Sequence, residues 1–282
     1  MTEFAVESTP TLRLDIQMGT IEIIATDRTN VSVSVAPSNP KRSGDSATAE
    51  RTRVTASSDT IEVITPRRWA VLGPGDSVDI IIKTPLGSHV DARLGYGFLR
   101  ATGALGDVSI DSGSGDTTLD TTRNLTSNGG HGTLRCAAVL GNASVKLASG
   151  NARIGRIDGD AQITGSHGNI DVGRLGGSSV LKTASGSIEI GTSVDDLTAT
   201  TAYGSLQVGE LSNGTTHVQS AHGRIDVGVR PGVAVWLDAS SKQGSVRSSL
   251  AVDDAGPSEG DKTLGLHAHT TYGDIMIHYA TP

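Results

Sequence analysis

One glycine-centred unit of about 18 residues recurs ten times over the last two thirds of this 282-residue chain, and no other feature restricts the fold as tightly. The anchors are Gly97, Gly115, Gly132, Gly150, Gly168, Gly186, Gly204, Gly223, Gly244 and Gly273, spaced 18, 17, 18, 18, 18, 18, 19, 21 and 29 residues apart. The last two gaps read as insertions.

Two and four residues after the anchors stand pairs such as Ile170/Val172, Ile188/Ile190, Leu206/Val208, Ile225/Val227 and Ile275/Ile277. This period-2 alternation predicts a strand with one buried face. A second alternating run follows at offsets eleven and thirteen, as in Val108/Ile110, Ala161/Ile163 and Leu197/Ala199. Glycines at offset five (Gly155, Gly173, Gly191, Gly209, Gly228) and Gly, Asn or Asp at offset nine read as corners, because these residues tolerate positive φ. The expected fold is all-β: a single-stranded parallel β-solenoid with about 18 residues and two strands per coil. Stacking coils would bury a continuous aliphatic core that no single coil could bury alone. Within it Ile170, Ile188, Leu206 and Ile225 should form one ladder.

Two other 18-residue coils do not fit. Calcium-binding β-rolls need tandem Gly-Gly-x-Gly-x-Asp nonapeptides, and only Gly113-Ser114-Gly115-Asp116 resembles half of one. Left-handed hexapeptide helices need an aliphatic residue every sixth position, which the offsets of two, four, eleven and thirteen do not provide. The 36 glycines and 3% aromatic content argue against helical bundles and thick two-layer cores.

Residues 1–88 are less regular and read as an elaborated β cap, leaving 89–282 as a solenoid of about ten coils. A coil-like unit opens the chain, with Leu12, Leu14 and Ile16 leading to Gly19, Ile21 and Ile23. Strands are expected at Val31–Val35, Ile61–Ile64 and Val78–Ile82. The polar stretch Ser38–Ser58 reads as a loop or a short helix, and no convincing helix is evident elsewhere. At the other end, Leu264–Tyr279 reads as the terminal coil that covers the preceding strands.

The formal charge of −7 and the lack of a Lys/Arg-rich run speak against nucleic-acid binding. No stretch approaches the ~20 apolar residues of a membrane span, and Met1–Gln17 reads as a polar strand without the apolar core of a leader, so the expected location is cytoplasmic, without membrane insertion. Cys136 is the only cysteine and falls on an inward position, which predicts a buried, inert thiol.

Segments such as Ser185-Gly186-Ser187-Ile188-Glu189-Ile190-Gly191 and Tyr203-Gly204-Ser205-Leu206-Gln207-Val208-Gly209 resemble the β-strand-repeat family of adhesin-like proteins of unknown function related to toastrack domains. Met18–Thr26 and Val229–Asp238 resemble its actinobacterial members. The resemblance spans nearly the whole chain. It implies a solenoid, sometimes linked to envelope-stress or membrane modules, with no defined catalytic residues and no cofactor. A protein or envelope-associated partner is therefore expected, and self-association is compatible with the fold.

Candidate sites are few. His267 and His269 lie at i, i+2 on one strand face and could chelate a metal, although no third ligand is evident in the sequence. His131, His167 and His222 each precede an anchor glycine and fall on one edge, with Ser149 separating the first two by two coils. Arg67-Arg68-Trp69 has the makings of a small binding loop, with Trp69 expected to fold back onto the cap, and Trp236 is out of phase with inward Leu237. For catalysis the best pair is Asp171 and Glu189, three residues after consecutive anchors. On adjacent coils their carboxylates would stand about 5 Å apart, near the spacing of a retaining glycosidase pair. Arg153 should flank Asp171 on the neighbouring coil and keep it ionised, which suits a solvated strip better than a general acid. A non-enzymatic scaffold is the expected function, with a carbohydrate-active enzyme as the alternative.

Overall fold

The computed structural model describes residues 2–66, 75–251 and 263–280. The chain divides into two compact units, Met1–Ala138 and Val139–Pro282. Strands dominate both, and among the described residues no helix is long and apolar enough to cross a membrane.

The first unit contains β1 (Thr2–Ala5), β2 (Thr11–Thr26), β3 (Asn30–Pro37), α1 (Ser43–Arg51), β4 (Arg53–Ser57), β5 (Thr60–Ile64), β6 (Val78–Pro85), β7 (His89–Leu105), β8 (Val108–Ser114), β9 (Thr117–Thr122) and β10 (Leu125–Val139). β2 and β7 each run through an anchor glycine, and they pair in parallel with Gly19 opposite Gly97. β7 then pairs in parallel with β8 before its anchor and with β9 after it. β10 continues the pattern beside β8 and β9.

On the opposite edge of β2, β5 pairs with Thr11–Asp15 and β6 with Gly19–Thr26, so these two strands act together as a further repeat. Parallel pairing stops there. β4 closes β5 in antiparallel register, β3 closes β6 in the same way, and β1 adds to β3. The polar stretch after β3 thus resolves into a short helix and a capping strand. α1 carries Asp45 in its first turn and Arg51 in its last, charges that suit the helix dipole. Asp45 is buried and accepts the backbone N–H groups of Asn39 and Ser77, both at 3.1 Å, which ties the helix start to the approach to β6.

The second unit contains β11 (Ala143–Ile157), β12 (Ala161–His167), β13 (Ile170–Leu175), β14 (Ser179–Ser185), β15 (Ile188–Ser193), β16 (Leu197–Tyr203), β17 (Leu206–Leu211), β18 (Gly214–His222), β19 (Ile225–Val229), β20 (Ala234–Gln243), β21 (Val246–Ser248), β22 (Thr263–Tyr272) and β23 (Ile275–Tyr279). They form two parallel ladders. Strands before the anchors follow the order β11, β12, β14, β16, β18, β22, β20. Strands after the anchors follow the order β11, β13, β15, β17, β19, β23, β21. Ile170, Ile188, Leu206 and Ile225 are successive partners and fully buried, as the repeat predicts. Each such aliphatic side chain contributes roughly 1.5–3 kcal/mol on burial.

Seven of the ten anchor glycines have two physical requirements at once, a positive φ and no room for a Cβ. Gly186 has φ 143°, and a Cβ there would lie 2.0 Å from the carbonyl oxygen of Gly168 in the preceding repeat. Only glycine meets both conditions. The offset-five glycines differ from the sequence expectation: Gly173, Gly191 and Gly209 lie within strands rather than at corners, without positive φ. Their Cβ positions are closed by the previous repeat's glycine carbonyl, at 2.4 Å for Gly173 and 2.3 Å for Gly191. Here the constraint is close packing of backbones. After this glycine the inward side shifts by one residue, so Leu175 and Leu211 at offset seven join the core.

The largest departure from expectation lies near the C-terminus. β22 and β23 are inside their ladders, between β18/β19 and β20/β21, so Leu264–Tyr279 is not the terminal coil. Three observations agree on this order. Gly223 N–H donates to the Tyr272 carbonyl and Gly273 N–H to that of Gln243. A Cβ on Gly273 would meet the Gly223 carbonyl, and one on Gly244 the Gly273 carbonyl. Asp274 accepts the backbone N–H of Ser245, just as Asn169 accepts that of Ser187 one repeat further on. The side chains suit this order mainly in the second ladder: Leu264, Leu266 and Ala268 of β22 are matched by Val235, Leu237 and Ala239 of β20, whereas Ile275 and Ile277 of β23 are matched by only Val246 and Ser248 of β21. The more apolar β23 has the interior place and β21 the outer one.

Candidate functional site

The outward face at the last three repeats of the second unit gathers most of the unusual chemistry. Strand register builds it: β18 presents Thr215, His217 and Gln219, β22 presents Gly265, His267 and His269, and β20 presents Trp236, Asp238 and Ser240, matched row by row. His267 stacks on His217 with ring centroids 4.4 Å apart, and Trp236 lies tilted against its ring at 5.0 Å. His267 Nδ1 lies 3.4 Å and His269 Nε2 3.5 Å from Asp238 Oδ2. Asp238 is the third ligand-type group that the sequence reading did not pick out; it stands six residues before Gly244 as His267 does before Gly273, and β20 and β22 are adjacent.

A second cluster marks the corner of the same repeats. The rings of Tyr203, His222 and Tyr272 stack nearly parallel, at 5.0 Å and 4.7 Å. His222 therefore serves in an aromatic ladder, and His167 lies between Ser149 and Ser185 in the equivalent row. On the other ladder, His278 Nε2 lies 2.9 Å from Asp226 Oδ1, and Arg224 also pairs with Asp226. The imidazole of His278 is pushed above its usual range by the Tyr279 carbonyl that its Nδ1 faces, with Asp226 adding to the effect.

Asp171 and Glu189 are direct cross-strand partners on β13 and β15, both exposed, and Arg153 stands opposite Asp171 on β11. They form a charged strip on a solvated sheet. Cys136 is buried on β10, and burial pushes its thiol up to about 11, so it stays protonated and unreactive. Trp236 is 63% exposed, in line with its out-of-phase position. Arg67, Arg68 and Trp69 lie outside the described residues.

A missed regularity supports the corners. Thr183, Thr201, Ser220 and Thr270, three residues before an anchor, donate their hydroxyls to anchor carbonyls of Gly168, Gly186, Gly204 and Gly223, at 2.9–3.3 Å. The alternation of inward positions points to these residues, but their polarity hid them from a search for apolar ones.

The Toastrack DUF4097 family model matches residues 11–264. The chain belongs to the toastrack family. No curated protein matches this toastrack chain. Among solved structures, a "putative adhesin" from Parabacteroides merdae is 16% identical with a TM-score of 0.46, covering 80% of this chain and 94% of its own. A "putative adhesin" from Bacteroides fragilis is 11% identical with a TM-score of 0.38, covering 98% of this toastrack chain and 95% of its own. A "putative cell adhesion protein" from Clostridium sporogenes is 10% identical with a TM-score of 0.22, covering 99% and 98%.

Proposed function

We propose that this toastrack chain is a non-enzymatic β-solenoid scaffold that binds an extended segment of an envelope-associated protein at the β20/β21 end of its second unit. The observation that carries the reading is the state of that end. Among the described residues β20 and β21 pair on one side only, with β22 and β23. Leu237 is 36% and Val246 42% exposed, although their partners Leu266 and Ile275 are buried. Such an edge offers main-chain hydrogen bonds and half-open apolar pockets to an added strand. The single cysteine is compatible with a cytoplasmic location, and the family resemblance supports the envelope link.

A photoreactive amino acid placed at Leu237 in the native host tests this reading, with Asp171 as the control position. A defined envelope protein cross-linked from 237 and not from 171, and lost in Leu237→Lys with Val246→Lys, supports it. A cross-link only to a second copy of the chain replaces the partner with self-association, and no cross-link contradicts the reading. The enzyme alternative has its own test. Turnover of a uronic-acid or neutral glycan that Asp171→Ala or Glu189→Ala abolishes would replace the scaffold with a carbohydrate-active enzyme.

A further inference from the structure

We propose that Asp238, His267 and His269 form a binding site for a borderline divalent transition metal such as Zn2+. Neighbouring residues on one face of a strand are about 6.6 Å apart along the chain, and adjacent strands about 4.8 Å apart. Two histidines at i, i+2 and a carboxylate on the adjoining strand can therefore reach a common point above the sheet. One ligand atom from each of Asp238, His267 and His269 lies within 4.8 Å of the other two.

What marks this site off from an ordinary histidine–carboxylate pair such as His89–Asp107 is that two imidazoles approach one carboxylate oxygen. Hydrogen bonds from N–H to oxygen measure about 2.7–3.2 Å. The His267–Asp238 and His269–Asp238 separations are 3.4 Å and 3.5 Å. Tetrahedral Zn2+, with bonds of about 2.0–2.1 Å, sets ligand atoms about 3.4 Å apart. Two edges of such a tetrahedron are thus matched, and the third is within 4.8 Å.

Both rings are also held from outside. Ser240 Oγ lies 2.8 Å from His269 Nδ1, which fixes that ring with Nε2 toward Asp238. A hydroxyl accepting from Nδ1–H leaves the Nε2 lone pair for a metal, the usual supporting arrangement for a histidine ligand. His267 is set between His217 and Trp236. Nitrogen and carboxylate donors without thiolate suit Zn2+, Ni2+ or Cu2+ better than Ca2+ or Mg2+. Three protein ligands on an exposed face leave at least one position for water or for a side chain of a bound partner.

Calorimetric titration of the full chain with Zn2+ tests the site, and Cu2+ gives a spectroscopic check. The expected result is one equivalent of Zn2+, bound at least about tenfold more weakly in His267→Ala, His269→Ala and Asp238→Ala. Ser240→Ala should weaken binding about tenfold, while His167→Ala should leave it unchanged. Binding should weaken on acidification, because protons compete for the imidazoles. Bound Cu2+ should show hyperfine coupling to two imidazole nitrogens and quench Trp236, with the Trp236→Phe variant lacking that quenching. The Cu2+ spectrum of the unmodified chain remains decisive if an alanine variant fails to fold. Absence of Zn2+ binding, binding unaffected by the three substitutions, or coupling to one nitrogen or none would overturn the proposal.

Discussion

The outermost repeats of the two units end their ladders in opposite ways. In the first unit the β5/β6 repeat is covered by antiparallel β4 and β3, and its inward residues Ile61, Val63, Ile80 and Ile82 are fully buried. In the second unit the β20/β21 repeat has neighbours on one side only among the described residues, and its Leu237 and Val246 are exposed. Both ends face the same difficulty, since a parallel ladder always leaves a last strand with free backbone groups and an uncovered core. The first unit solves it by reversing strand direction. The second places the β22/β23 repeat one step inside, with Ile275 and Ile277 where β21 has Val246 and Ser248, and lets β20/β21 face outward.

The contrast can be broken most severely at the corners. Gly186 and Gly232 both have positive φ, but a Cβ at Gly232 would meet nothing within 4 Å. Gly186→Ala should cost about 4 kcal/mol or more, and Gly232→Ala about 1–2 kcal/mol, by denaturant titration. Equal costs would show that backbone conformation alone, and not stacking of repeats, requires the anchors. Next come the partners Leu266 and Leu237. Truncation of buried Leu266 to alanine should cost about 2–5 kcal/mol, against less than about 1 kcal/mol at Leu237. Ile82→Ala in the capped first unit should resemble Leu266→Ala.

Smaller effects sharpen the same comparison. Thr201→Val removes the hydroxyl that lies 2.9 Å from the Gly186 carbonyl and should cost about 1 kcal/mol. The smallest effect is a pH dependence at β23. His278 has a raised folded-state value, so its contribution is fully present below its unfolded value of about 6.5 and is lost as pH rises through the folded one. The thermal midpoint of His278→Gln should therefore fall below that of the unmodified chain in mild acid and approach it in alkali. A gap that widens with rising pH would contradict the assignment.

The repeating core was legible because its signal is local: Ile188, Ile190 and their equivalents alternate, and Gly186 punctuates them. Strands at Val31, Ile61 and Val78 could be read for the same reason. Strand order could not. A 29-residue gap between Gly244 and Gly273 looks like an insertion, and nothing in residue spacing says that the chain steps past one place and returns to fill it. The inward residues carry part of that information, Ile275/Ile277 against Val246/Ser248, but it becomes readable only when strands compete for one buried position. Missing the exchange also hid His217 as the neighbour of His267, whereas Asp238 could have been found by aligning the last two coils. The offset-five glycines misled differently, since glycine serves close backbone approach as well as corners.

Amide hydrogen exchange, resolved by residue in β20 and β22, tests the exchanged order most directly. β22 has ladder partners on both sides and should show protection close to that of β16 and β18, while β20 should exchange markedly faster. If instead Leu264–Tyr272 exchanges faster than Val235–Gln243, β22 is the outer strand, and the exchanged order is wrong.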